Sequence, residues 1–285
     1  MRFRLFSICP AVFVDGDESR AEQFCSEHGL SLIRIPHPFE LNLFYKRDIH
    51  ELSLQSPDAL FFIVYSGHGV QLCPKDKKAG NPVICNFTSG KNHHRSLYGG
   101  GSGQLIAKAV GIGDGIRPTV LDATAGMGGD AFVMASLGCQ VQLLERSPIV
   151  YELLRSGIQQ GLLEAEHETS EALGRMRLVS GDSLEWLKRQ EPEFVDVVYL
   201  DPMFPSREKS ALVKKEMQFF HQVVGPDEDA DRLLSLARSK AEYRVVVKRG
   251  LRSAYLDGIE PTYQLKGKSS RYDVYVNKSL KHHAG

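Results

Sequence analysis

From residue 118 to residue 248 the chain alternates short apolar runs with stretches of helical length, and that alternation leaves few folds open. Residues 119–123, 141–145, 176–180, 195–200 and 243–248 read as strands, and residues 130–137, 149–162, 184–190 and 229–241 read as helices between them. Strands joined through helices pair in parallel and wind by right-handed crossovers. Residues 195–200 are almost continuously apolar, as expected of a strand covered on both faces. The end of the chain breaks the pattern, because residues 262–266 and 272–276 flank a Gly-Lys-Ser-Ser turn with no helix between them. The expected architecture is therefore α/β, a mostly parallel sheet closed by a C-terminal antiparallel hairpin.

The ends of these strands carry the chemistry. The first runs through Asp122-Ala123-Thr124-Ala125 into Gly126-Met127-Gly128-Gly129-Asp130, a strand, a glycine turn and a helix. That geometry brings backbone close to a nucleotide-like ligand. The register of G-x-G-x-x-G is not met, since only Gly126 and Gly128 fall in place and Asp130 stands at the third position. A carboxylate there would repel a pyrophosphate at the helix N-terminus. S-adenosylmethionine carries no phosphate and is cationic at its amino group and sulfonium, so Asp122 and Asp130 suit it better. Glu145 ends the second strand seventeen residues after Gly128, where a carboxylate accepts from both ribose hydroxyls, with Arg146 beside it. Asp182 and Ser183 follow the third strand and offer a carboxylate and a hydroxyl to the adenine amino group; an N-cap for the next helix would use the same residues.

The fourth strand delivers Asp201-Pro202-Met203-Phe204 to this edge. Asp201 and the Pro202 carbonyl are suited to accept the hydrogens of an exocyclic amine, which localises its lone pair toward a methyl donor. Phe204 offers a stacking face for an extruded base. A strand-ending Asp-Pro turn is the bland alternative, and the acids on three other strand ends weigh against it. Arg207, Lys209, Lys214, Lys215, Lys248, Arg249, Lys266, Lys268 and Arg271 then read as cations for the phosphates around the base. Lys plus Arg and Asp plus Glu both number 35, so overall charge selects no partner, but residues 244–285 hold nine basic and three acidic side chains. The residues alone reach a methyltransferase acting on an amine in nucleic acid. They leave open adenine in DNA, a protein glutamine, an RNA-binding assembly factor without catalysis and, least well, an NAD oxidoreductase.

Residues 1–90 read as a small strand-rich lobe, with apolar runs at 5–14, 59–65 and 82–87 and a short helix at 21–28. Ser66-Gly67-His68-Gly69 within it reads as a plain turn. Residues 91–117, which include Tyr98-Gly99-Gly100-Gly101-Ser102-Gly103, read as a glycine-rich hinge with a lead-in helix, and residues 118–285 as the main domain. The five cysteines are scattered without a C-x-x-C pair, which argues against a disulfide framework and a zinc site. Pro10 and Asp15-Gly16-Asp17 interrupt the N-terminal apolar run, so a first strand is expected rather than a signal peptide. No stretch approaches the ~20 apolar residues that span a bilayer. A reduced, cytoplasmic protein without metal is expected.

Several segments resemble the ribosomal RNA small subunit methyltransferase J family. They are residues 122–128, Leu144-Glu145-Arg146, the run 199–217, Val224-Gly225-Pro226-Asp227 and residues 244–249, so the likeness spans roughly 95–276 and leaves out the N-terminal lobe. Met203 stands where the broader Asp-Pro-Pro-aromatic pattern has a second proline. The resemblance implies a class I, Rossmann-like methyltransferase sheet and a bacterial, cytoplasmic enzyme. Its implied activity is transfer of a methyl group from S-adenosylmethionine to the exocyclic N2 of a guanine in 16S ribosomal RNA. It also implies cofactor positions at Gly129-Asp130, Glu145-Arg146, Asp182-Ser183 and Asp201.

Overall fold

The computed structural model describes residues 10–89, 103–113, 115–202 and 230–280. Among these, two units divide between Cys85 and Asn86.

The first unit is a five-stranded sheet in the order β2-β1-β3-β4-β5, formed by β1 (Ala11–Phe13), β2 (Leu32–Arg34), β3 (Phe61–Ser66), β4 (Gly69–Pro74) and β5 (Val83–Ile84). β1 pairs in parallel with β2 and β3, and β3, β4 and β5 are antiparallel. Helix α1 (Glu18–His28) connects β1 to β2. Asp17 caps its start by accepting from the Arg20 N–H, and Gly29 ends it in the left-handed region at φ 67°. Helix α2 (Ile49–Gln55) follows a π-helical turn at Phe44–Asp48. Val12, Phe39, Phe44, Leu52, Phe62 and Val64 form the core. Ser66 to Gly69 is the turn between β3 and β4, as expected, and the Asp15 carboxylate fastens it by accepting from the Gly67 N–H at 2.9 Å.

The second unit begins with α3 (Leu105–Val110) and then alternates: β6 (Val120–Asp122), α4 (Gly129–Ser136), β7 (Val141–Glu145), α5 (Pro148–Glu164), α6 (His167–Gly174), β8 (Met176–Ser180), α7 (Ser183–Lys188), β9 (Val195–Leu200), α8 (Ala230–Lys240) and β10 (Ala241–Gly250). The hairpin β11 (Tyr263–Lys266) and β12 (Ser270–Val276) completes a seven-stranded sheet in the order β11-β12-β10-β9-β6-β7-β8. β10, β9, β6, β7 and β8 run parallel and β12 is antiparallel to both its neighbours. The mostly parallel sheet with an antiparallel C-terminal hairpin is the expected one. Helix α6 is the one helix of this unit, among the described residues, not expected from the sequence. Among the described residues no helix is long and apolar enough to cross a membrane.

Two properties of this sheet position the site. Strand order turns back between β6 and β9, and at such a switch point the loops diverge and leave a crevice beyond the carboxyl ends. Side chains also alternate between faces. Leu121, Val198, Leu200, Val245 and Val247 pack with Leu184, Leu187, Leu233 and Leu234 of α7 and α8 in one core. Each such buried Leu or Val contributes ~1.5–3 kcal/mol. The alternate positions Asp122, Tyr199 and Lys248 are thereby turned to the other face.

Candidate active site

The glycine turn after β6 is held in shape by backbone geometry and by carboxylates. Gly126 and Gly128 adopt φ 53° and 70°, a region costly for other residues. A Cβ on Gly128 would lie 2.7 Å from Leu154 Cδ1, so the leucine side chain would have to shift to admit one. Asp122, only 1% exposed, accepts from the Thr124 N–H at 3.1 Å. Glu145, at the end of β7, accepts from the Gly126 N–H at 3.0 Å and from the Ser147 N–H at 2.6 Å. One carboxylate thus ties the glycine turn to the start of α5. The Thr124 hydroxyl oxygen accepts from the Asp201 N–H at 2.6 Å, which joins this turn to the end of β9. The Ser183 hydroxyl donates to the Ala123 carbonyl at 2.5 Å, and Asp182 caps α7 by accepting from the Glu185 N–H at 3.0 Å.

A charged network lies across the switch point. Lys248 Nζ donates to Asp130 Oδ2 and to Asp201 Oδ2, each at 2.7 Å, and the Tyr199 hydroxyl donates to Asp130 Oδ2 at 2.6 Å. Register produces this meeting: Val247 pairs with Leu200, so Lys248 falls beside Asp201, while Asp122 pairs with Tyr199. Burial, reinforced by the nearby Asp130 and Asp201, pushes the Asp122 carboxyl up to about 8. Asp122 is therefore largely protonated at neutral pH. Burial alone would lower the Lys248 ammonium, but Asp201 and Asp130 more than offset it and drive it upward. Burial together with Asp130 and Asp201 also keeps the Tyr199 phenol protonated.

Comparison with known proteins identifies the arrangement. A family described as "Putative SAM-dependent methyltransferase" matches residues 47–277. The chain is 47% identical over 267 residues to ribosomal RNA small subunit methyltransferase J of Pseudomonas fluorescens, covering 94% of each chain. It is 51% identical over 227 residues to the protein of that name from Cellvibrio japonicus, covering 78% of this chain and 85% of that one. The chain belongs to the ribosomal RNA small subunit methyltransferase J family. A crystal structure of a SAM-dependent methyltransferase from Neisseria gonorrhoeae, 32% identical, superposes with a TM-score of 0.65 over 96% of this chain and 100% of that one.

In this methyltransferase the donor set fits S-adenosylmethionine. Asp130, Glu145, Asp182 and Asp201 gather with the protonated Asp122 at the carboxyl edge around a glycine turn, and the four acids other than Asp122 match a cationic, phosphate-free ligand and oppose a pyrophosphate. Asp182 does serve as the N-cap that the sequence left open as an alternative. That bond engages one of its oxygens in capping and leaves the residue half-buried at the edge. Arg146 is also half-buried, directly after Glu145. Among the described residues there is no group of three or more His, Cys, Asp or Glu able to hold a metal ion.

The basic residues separate into three groups. Lys266 and Lys268 are exposed on the hairpin turn. Lys248 is engaged by two carboxylates of the crevice, so the expectation of a phosphate-binding Lys248 gives way to an internal cation. Arg249 and Arg271 are 7% and 3% exposed and donate to backbone carbonyls, which removes them from the expected phosphate contacts. Phe204, Arg207, Lys209, Lys214 and Lys215 lie outside the described residues. Thr124, Tyr199 and the bridging geometry of Lys248 were missed from sequence. The readable signal was a tyrosine two residues before Asp201, on the same strand face.

Proposed function

We propose that this chain methylates the exocyclic N2 of a guanine in 16S ribosomal RNA, in the cytoplasm, with S-adenosylmethionine as donor. The observation that carries the reading is the set of acidic side chains on the ends of β6, β7 and β9 around the glycine turn, in a chain 47% identical to a ribosomal RNA small subunit methyltransferase J. When bound, S-adenosylmethionine supplies an electrophilic methyl group carried on a sulfonium. In this proposal Gly126, Gly128, Gly129, Asp130, Glu145 and Arg146 cradle the cofactor, with Asp122 beneath them and Asp182 and Ser183 at its adenine end. Asp201 and the Pro202 carbonyl accept the N–H groups of the target amine, and Phe204 stacks on the base. Lys248 holds Asp201 in place through its 2.7 Å contact.

No enzyme nucleophile is needed for such a transfer. Cys139, for example, is fully buried at the far end of β7, and burial pushes its thiol up to about 12. Arg207, Lys209, Lys214, Lys215 and Lys268 are the proposed phosphate contacts. The test is methylation of purified small ribosomal subunits lacking the modification, followed by mass-spectrometric mapping of the modified nucleotide. A methyl group on guanine N2 is expected from the wild type. Asp201→Ala is expected to abolish transfer while retaining much of the cofactor affinity, and substantial turnover by a folded Asp201→Ala protein would overturn the role given to it.

A further inference from the structure

The carboxyl edge carries a second built feature, at the end of β10. Beyond Gly250 the chain runs irregularly through residues 251–255 into a tight turn at Leu256–Gly258, where Asp257 adopts φ 55°. Two guanidiniums hold this loop by its carbonyls. Arg249 donates to the Ala254 carbonyl through Nε and Nη2 at 3.1 and 2.7 Å. Arg271 donates through Nη1 to the carbonyls of Gly250 and Leu251, both at 2.9 Å, and through Nη2 to Ser253 at 2.8 Å. Its remaining donors reach the Asp273 carboxylate at 2.8 and 3.0 Å, and Asp273, 0% exposed, also accepts from Gln264 at 2.7 Å. The Arg271 guanidinium lies 5.5 Å from the centre of the Tyr255 ring.

This is a costly way to shape a short loop. Two like charges are withdrawn from water side by side, with Asp273 as the carboxylate hydrogen-bonded to one of them. Burial, and then the neighbouring Arg271, lowers the Arg249 guanidinium from its ordinary value. On the outside of the loop stand Leu251, 40% exposed, and the exposed Arg252, Ser253 and Ala254. Gly250 pairs with Ser270, so the loop emerges beside the hairpin turn that presents Lys266 and Lys268. Of the cations in residues 249–255 and 266–273, Arg252, Lys266 and Lys268 are exposed, while the one carboxylate there, Asp273, is buried. The outward face therefore combines a rigid backbone, positive charge and an apolar side chain at the rim of the crevice where β9 delivers Asp201.

We infer that residues 251–254 and the adjoining turn 266–269 form a preshaped docking edge for the RNA strand flanking the target nucleotide. Arg252 contacts a phosphate, Leu251 packs on a sugar or base, and Arg249 and Arg271 are positioning residues that fix the loop's shape. An anionic strand is the occupant that the charge selects, and the edge continues the proposed active site; the inference rests on the RNA reading of that site.

The test uses the full chain, an in-vitro transcript of 16S ribosomal RNA for equilibrium binding, and unmodified small subunits for methylation. Arg252→Glu changes an exposed residue, so its melting temperature and cofactor affinity should stay at wild-type values. RNA binding should weaken about tenfold, with KM for the subunit raised and kcat retained. Arg252→Ala should lower the slope of log affinity against log salt by ~0.7–0.9, the share of one phosphate contact. Arg271→Lys keeps the charge but not the fork, and should weaken RNA binding without that change in slope. Arg252→Glu binding the transcript as tightly as wild type overturns the docking edge, whatever methylation shows. A wild type that binds the transcript but leaves every guanine N2 unmodified overturns the proposed reaction and not the edge.

Discussion

Replacing Lys248 by methionine keeps the aliphatic stem and removes the ammonium that joins Asp130 to Asp201. Nζ lies 2.7 Å from an oxygen of each carboxylate, and the side chains of Lys248, Asp130 and Asp201 are 26%, 9% and 40% exposed. At an effective dielectric of about 20 each contact is worth ~6 kcal/mol of bare Coulomb attraction, most of it offset by desolvation. Removing one partner of a buried pair costs ~3–5 kcal/mol when the remaining charge stays uncompensated. Asp201 has water to turn to, so the loss falls chiefly on Asp130, and ~2–3 kcal/mol of stability at pH 7 is the expected change. Asp130 retains the Tyr199 hydroxyl, which limits the damage. The kinetic consequence is sharper. Without the cation, Asp201 loses the opposite charge that favours its ionised form, so the acid limb of the kcat profile should move to higher pH. Urea denaturation gives the first quantity, and single-turnover methylation between pH 5 and 9 gives the second. If Lys248 instead held an RNA phosphate, Lys248→Met would raise KM for the subunit and reduce its salt dependence with the acid limb unmoved. That result would refute the internal role.

Asp122→Asn should change how stability depends on pH. The folded-state carboxyl sits at about 8, against 3.8 without burial. Between those values the unfolded chain releases a proton that the folded chain keeps, so wild-type stability falls as pH rises, by at most ~1.4 kcal/mol per unit. Asparagine has no such proton, so the variant should gain on wild type from pH 5 to pH 8 and the gap should then level off; parallel curves in urea would contradict this. Thr124→Val removes the oxygen that receives the Asp201 N–H at 2.6 Å. An unmet buried donor costs ~1–3 kcal/mol, and kcat should fall with KM for RNA unchanged, because the loosened group is the one placed on the amine. Unaltered kcat with lowered stability would leave Thr124 a purely structural contact.

The parts of this fold that could be read from sequence are those where one physical effect dominates. β7, β8 and β9 fall at Val141–Glu145, Met176–Ser180 and Val195–Leu200, the residues expected from their apolar runs and the turns around them. Helix α6 was not legible because its sequence, His-Glu-Thr-Ser-Glu-Ala-Leu-Gly, buries only Thr169, Ala172 and Leu173 and takes its stability from what it packs against. β4, buried along its whole length, was obscured by glycine and proline at its two ends. The acids of the site were legible for a different reason: a carboxylate that ends an apolar strand needs an explanation whatever the strand order.

The cations were not legible in this way, and the difference shows what kind of information a sequence withholds. Lys248, Arg249, Lys268 and Arg271 lie within 24 residues and look alike as charges. Their fates depend on neighbours brought by pairing. β10 lies beside β9, which places Lys248 against Asp201; β12 lies beside β10, which carries Arg271 to the carbonyls of the loop after β10; and Lys268 sits at a turn with water in front of it. One local clue did exist. Arg271 and Asp273 are two apart on a strand, so they share a face, and an ion pair at that spacing within Tyr272-Asp273-Val274-Tyr275-Val276 signals a buried pair rather than a phosphate contact. An arginine whose strand partner is an acid two residues away is already committed, and the cations left to meet an anionic strand are those without that commitment.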